Sequence, residues 1–231
     1  MTKLEFYQQL EQQQIFLSNH QKQQFDQYYR LLFQYNQVMD LTSVIEEEQV
    51  YERHFYDSLT IAFNKNFNGL KVCDVGSGAG FPAIPLKIVF PEMELTIIDS
   101  LTKRMNFLNE VVQQLDLKKV TIITARVEEM DASFRETFDI VMARAVARLN
   151  ILLELCIPIL KVNGIFIAMK GQKGQEELEE AKNAIQILNL KLNETQKLPF
   201  ITNFYFLKQY IVYKIFSATP PYFYYIFFYF F

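Results

Sequence analysis

The chain has no tryptophan, two cysteines, two histidines and seven glycines in 231 residues. Its two cysteines, Cys73 and Cys156, sit in apolar runs and cannot form a disulfide framework. A reducing, cytoplasmic compartment is therefore expected. Cysteine and histidine at zinc-ligand spacing are lacking, so no metal is expected. Positive charge is not in excess either: 23 Lys and Arg against 26 Asp and Glu leave a net charge of −3. No global basic field advertises a nucleic-acid partner, and any such contact needs a local patch. Long apolar runs are missing as well. The ten residues Tyr222–Phe231 fall well short of the roughly 20 needed to span a bilayer as a helix. The polar stretch Met1–Gln14 has no apolar segment of the signal-peptide kind.

What remains is ordinary globular composition, 50% hydrophobic and 21% charged. The length suits one α/β domain with an attachment and a sizeable core. The unusual figure is the 35 aromatics, 22 Phe and 13 Tyr. Ten of them fall between Phe216 and Phe231. A contiguous apolar tail of this kind is an aggregation liability. Three readings of it stay open: extra core, a surface for a partner or membrane, or a non-native end such as a frameshift produces. The segment 217–231 is expected to be poorly ordered.

Residues 1–65 read as a helical extension. Leu4, Tyr7 and Leu10 recur at helical spacing, and Phe25, Tyr28, Tyr29 and Leu32 repeat the pattern. The eight Gln of residues 1–24 read as solvated helix faces. Glu46–Arg53 begins a further helix, with Val50, Phe55 and Leu59 as core positions. Beyond residue 65 the period changes. Strand-length apolar runs at Lys71–Val75, Leu95–Asp99, Val120–Thr124, Phe138–Ala143 and Gly164–Met169 alternate with helical segments near Ile84–Phe90, Leu101–Leu115, Val146–Leu160 and Gln175–Leu188. This alternation predicts an α/β fold, a doubly wound, mostly parallel sheet over 66–216. Asn203–Phe216 supplies an edge strand or hairpin.

The sharpest signal is the turn Asp74-Val75-Gly76-Ser77-Gly78-Ala79-Gly80-Phe81-Pro82, between a strand and a helix. Glycine permits positive φ and close approach of a ligand, and open α/β sheets bind ligands at the carboxyl ends of their strands. The third glycine comes one residue too early for the dinucleotide fingerprint. Asp74, ahead of the first glycine, suits an ammonium group better than a pyrophosphate. Asp99 ends the second strand, where an acid accepts hydrogen bonds from a ribose. An amino acid joined to a nucleoside satisfies both acids, and S-adenosylmethionine is such a molecule. Arg126-Val127-Glu128 follows the third strand, where this topology borders the adenine.

The runs His54-Phe55-Tyr56-Asp57-Ser58-Leu59, Asp74–Pro82, Leu95–Asp99 with Ser100, Leu101, Lys103 and Arg104, Ala143-Arg144-Ala145-Val146-Ala147, and Ala168-Met169-Lys170-Gly171 carry a resemblance. Over residues 25 to 215 the chain resembles the bacterial small-subunit rRNA guanine-N7 methyltransferases, also called the glucose-inhibited division protein B family. The resemblance implies a Rossmann-like, S-adenosylmethionine-dependent methyltransferase fold of class I. It implies a guanosine in the decoding-site loop of 16S rRNA as substrate, and the small ribosomal subunit as partner. Cofactor contacts would fall on Gly76, Phe81, Val127, Glu128 and Arg144, joining Asp74, Gly78, Gly80 and Asp99. The family ends in a basic segment, whereas the last charged residue here is Lys214.

Guanine N7 carries a free lone pair at neutral pH, so its methylation needs no general base and no nucleophile dyad is expected. His54 and Arg144 are the candidates for a direct part in the reaction, with packing as the other reading of His54. Arg148, four residues after Arg144, is expected on the same helix face. With Lys103, Arg104, Lys170 and Lys173 it would form a local basic rim for RNA. A monomer is expected. Methylation of a small molecule or protein, and a non-catalytic cofactor-binding module, remain as other readings. A nicotinamide oxidoreductase is disfavoured by Asp74 and the early third glycine.

Overall fold

The computed structural model describes residues 1–63, 65–198 and 208–215. The tail 217–231 and the first residues of the expected edge strand, 203–207, lie outside them. The chain divides into two compact units, Met1–Arg126 and Val127–Phe231.

The first unit opens with two helices, α1 (Lys3–Gln12) and α2 (Asn19–Met39), each started by a capping box. Ser18 Oγ accepts the Gln21 N–H at 3.2 Å while Gln21 Oε1 accepts the Ser18 N–H at 2.9 Å. Reciprocal bonds of this kind satisfy backbone donors that the first turn leaves open. The inward face of α1 is Phe6 and Leu10; Leu4 is 66% exposed. Phe6 wins that face because its ring meets Phe25 and Tyr51, at 5.2 and 5.3 Å between centroids. Nor are the glutamines all solvated. Gln24 is buried and donates to the Leu115 carbonyl at 2.7 Å, and Gln21 donates to Ile88 O at 2.8 Å. These amides tie the extension to helices that flank the sheet.

A third helical stretch runs through α3 (Glu47–Val50), a π-helical turn (Tyr51–Tyr56) and α4 (Asp57–Leu59). Val50, Phe55 and Leu59 are all fully buried. The step of five from Val50 to Phe55 is what a π-helical turn accommodates. Phe6 meets Phe25 and Tyr51, both of these meet Phe55, and Tyr28 joins Phe55 to Phe81, so the aromatics of this region form one connected core. Strands β1 (Lys71–Val75), β2 (Glu94–Asp99) and β3 (Val120–Thr124) pair in parallel, with β2 central. Helices α5 (Ala83–Val89) and α6 (Thr102–Gln114) return the chain between them. Lys87 of α5 is buried, and its ammonium donates to the carbonyls of Pro91 and Met93. Burial pushes its pKa down to about 8.

In the second unit β4 (Phe138–Arg144) pairs in parallel with β5 (Leu160–Lys170). Between them runs α7 (Leu149–Cys156), shorter than the expected Val146–Leu160. Ala145 has φ 56, in the left-handed region, and Arg148 is extended at the N-cap, so no helix forms before Leu149. Arg148 therefore shares no helix face with Arg144, contrary to expectation. Helices α8 (Gly174–Glu180) and α9 (Lys182–Ile187) follow. The edge is antiparallel: β6 (Leu190–Leu198) pairs with β7 (Lys208–Ile215), which pairs with β5. The first arm, β6, was not expected. Its polar sequence carries little of the β-branched signal that marks a strand.

Candidate functional site

The glycine turn lies at the carboxyl end of β1. Gly76, Gly78 and Gly80 all have positive φ, at 71°, 60° and 100°. Asp74, ahead of them on β1, is fully buried. Gly76 donates its N–H to Ile98 O at 2.7 Å, fastening the turn to β2. Asp99, at the end of β2, is buried as well and joins the turn from the other side. Its Oδ2 accepts the Gly78 N–H at 3.1 Å, and its Oδ1 accepts the Leu101 N–H at 2.9 Å. Arg104 Nη1 lies 3.7 Å from Oδ2.

The glycines serve different ends. A side chain at Gly78 would meet nothing within 4 Å. A Cβ at Gly80 would lie 2.7 Å from the Tyr28 hydroxyl, 2.7 Å from Ile84 Cγ1 and 2.9 Å from Leu108 Cδ2. Gly80 thus answers to protein packing, while Gly78 faces open space. Tyr28 completes the arrangement by donating its hydroxyl hydrogen to Ala79 O at 2.5 Å. Helical spacing pointed to Tyr28 only as one position on the apolar face of a helix. Its hold on the loop shows in the structure alone.

These residues fit S-adenosylmethionine. A carboxylate offers about four acceptor positions. Backbone amides take two on Asp99, which leaves capacity for a pair of ribose hydroxyls. The open side of Gly78 leaves the backbone approachable. Ser77 Oγ, in the same turn, is buried and has no hydrogen-bond partner among the described residues. Buried hydroxyls are normally satisfied, so a ligand or water is the natural partner. No sequence pattern singled Ser77 out.

Phe81 is buried at the end of the turn, and the His54 ring stacks on it at 4.4 Å and 16°. His54 is buried as well and so lies against an expected cofactor contact. In the second unit Val127 is buried at the start of a short 3-10 turn, Val127–Glu129, and Glu128 beside it is exposed. Arg144 is half-buried at the end of β4.

The expected basic rim divides. Lys103 and Lys173 are exposed. Arg104 is drawn toward Asp99. Arg148 is exposed and paired with Glu180 at 2.7 Å. Lys170 does not belong to a rim at all. It is buried, pairs with Glu177 at 2.7 Å and donates to Ala147 O. Such a pair fixes local structure, and its ammonium cannot meet a phosphate without breaking it. Among the described residues no group of His, Cys, Asp and Glu is placed to hold a metal. No described helix is long and apolar enough to cross a membrane.

Residues 21–201 match the family GidB, rRNA small subunit methyltransferase G. The protein named ribosomal RNA small subunit methyltransferase G from Staphylococcus aureus (strain JH9) is 51% identical over 195 residues, covering 83% of this chain and 82% of its own length. A Staphylococcus epidermidis protein of the same name is 52% identical over 194 residues, covering 82% and 81%. Among solved structures, a SAM-dependent methyltransferase from Aquifex aeolicus superposes with a TM-score of 0.60 at 17% identity, covering 76% of this chain and 97% of that one. M. jannaschii TYW2 in complex with AdoMet gives 0.57 at 18% identity, covering 76% and 79%. At such identities these structures speak to the fold, which is that of the S-adenosylmethionine-dependent methyltransferases. With the family matched over most of its length, this chain belongs to the rRNA small subunit methyltransferase G family.

Proposed function

We propose that this chain transfers a methyl group from S-adenosylmethionine to N7 of a guanosine in the decoding-site loop of 16S rRNA. The observation that carries the cofactor is the Asp99 carboxylate, held by two backbone amides beside the open face of Gly78. Family membership supports the RNA substrate.

When bound, the cofactor supplies an electrophilic methyl group on a sulfonium. Asp99 would accept its ribose hydroxyls and Asp74 its ammonium. Gly76, Gly78 and Phe81 of the glycine turn would hold it as well, and family membership supports Val127, Glu128 and Arg144 as further contacts. Since N7 needs no deprotonation, these residues act by orientation and by exclusion of water rather than by proton transfer. Segment 1–65 is the extension in this reading, and 66–216 the catalytic domain.

Loss of N7-methylguanosine from 16S rRNA on deletion of the gene, with its return on complementation, tests the proposal. Purified chain should also move labelled methyl into small subunits from the deletion strain. If those subunits take up no label, the RNA reading fails.

Lys103 and Lys173 are proposed to meet phosphate, with Arg148 joining them when it leaves Glu180. Lys103→Ala and Lys173→Ala should each weaken binding to a 16S rRNA fragment evenly across sequences. Each should lower the slope of log affinity against log salt by about one. Lys118→Ala, removing an exposed lysine paired with Asp116, serves as the control and should leave the slope unchanged.

A further inference from the structure

His54 stands in the π-helical turn Tyr51–Tyr56. Such turns are rare and gather at functional sites. Within this one, Phe55 and its neighbour His54 are both buried: Phe55 packs in the ring cluster, and His54 against Phe81. The His54 and Phe81 rings lie near face to face, 4.4 Å apart. The edge of the imidazole is fixed by a second contact, with Nε2 2.9 Å from Thr42 Oγ1. Thr42 is itself held twice. Its N–H donates to Asn36 Oδ1 of α2 at 2.8 Å, and its Oγ1 accepts the Val44 N–H at 3.1 Å. Asp40 ends α2 in the left-handed conformation, which turns the chain toward this position. A continuous set of contacts therefore runs from Asn36 through Thr42 and His54 to Phe81, at the end of the glycine turn.

We propose that His54 is a positioning residue for the cofactor. Thr42 aims the imidazole, and the imidazole face holds Phe81 in the orientation that receives S-adenosylmethionine. This rests on the methyltransferase reading given above. A direct proton-transfer role fits less well, because Nε2 is engaged by Thr42 and one ring face is covered by Phe81. The extension then does more than pack against the domain: it sets the affinity of the cofactor turn.

Calorimetric titration of the full chain with S-adenosylmethionine, joined to methyl transfer to undermethylated small subunits, tests the inference. His54→Leu removes both the stack and the polar tie, and should raise the cofactor Kd and KM about tenfold. Thr42→Val leaves the stack but removes the tie to His54 together with the acceptor of the Val44 N–H, and should raise them about threefold; Thr42→Ser keeps the hydroxyl and both bonds, and should return them to the wild-type value. In each variant kcat at saturating cofactor should stay within about twofold. A purely structural histidine would lower the melting temperature and leave Kd and KM untouched, and that result overturns the inference. So does a fall in kcat at unchanged KM, which would place His54 in the chemistry. Should His54→Leu not fold, the Thr42→Val and Thr42→Ser pair decides alone. A wild-type chain that binds no S-adenosylmethionine overturns the methyltransferase reading, and this inference with it. Binding by wild type with unaltered variants overturns the inference only.

Discussion

Asp99→Ala should raise the dissociation constant for S-adenosylmethionine about a hundredfold or more, read by isothermal titration calorimetry. Hydrogen bonds to a charged group are worth about 1.5–3 kcal/mol each, and tenfold in affinity is about 1.4 kcal/mol. Losing two acceptors for a ribose therefore reaches the hundredfold range. The substitution has a second consequence. It removes the acceptor of the Gly78 and Leu101 amides, so the turn loses its tie to the end of β2. Arg104 loses its carboxylate neighbour too. Asp99→Asn keeps the shape and one acceptor oxygen, and should cost nearer tenfold. Equal affinity in wild type and Asp99→Ala would remove Asp99 from the site.

The second large effect is on stability. Gly80→Ala should destabilise the fold by on the order of 3–5 kcal/mol, because overpacking and a side chain at positive φ add. The Cβ would enter 2.7 Å from two atoms and 2.9 Å from a third, at φ 100°. For a chain of this size that corresponds to a melting temperature lower by about 10 °C. Gly78→Ala has the same sign of φ but open space around it, so about 1 kcal/mol is expected. Tyr28→Phe in the Gly80→Ala background should recover only part of the loss, since Ile84 and Leu108 still crowd the site. Thermal unfolding of these three variants beside the wild-type chain checks this. Equal melting temperatures for Gly78→Ala and Gly80→Ala would refute the packing role.

Sequence alone located the glycine turn, Asp74, Asp99 and the parallel strands, because strand-length apolar runs and a glycine turn are local signals. It marked Phe25, Tyr28, Tyr29 and Leu32 as one face of α2; Phe25, Tyr28 and Leu32 are buried and Tyr29 is half-buried. The features it could not give depend on partners distant in the chain. Phe6 displaces Leu4 from the core through Phe25 and Tyr51. Gln24 turns inward to reach a carbonyl 91 residues away. Lys170 is buried through Glu177, while on a sequence it is one more lysine after a strand. Two clues were present and not decisive. The five-residue step from Val50 to Phe55 is a trace of the π-helical turn, yet apolar spacing alone reads as an α-helix. The third glycine of the turn, expected among the cofactor contacts, also leaves room for Tyr28, Ile84 and Leu108, which no local signal shows.

Leu101 is 50% exposed while its amide is bound to the Asp99 carboxylate. Its side chain can therefore be enlarged with little disturbance to the core, at a point one hydrogen bond from the acid assigned to the ribose. Because the chain contains no indole, a tryptophan placed there would be the only emitter of its kind in the molecule. Excited beyond the absorption of the tyrosines, its fluorescence should follow occupancy of the site in real time, so the rates of cofactor arrival and departure become measurable apart from turnover.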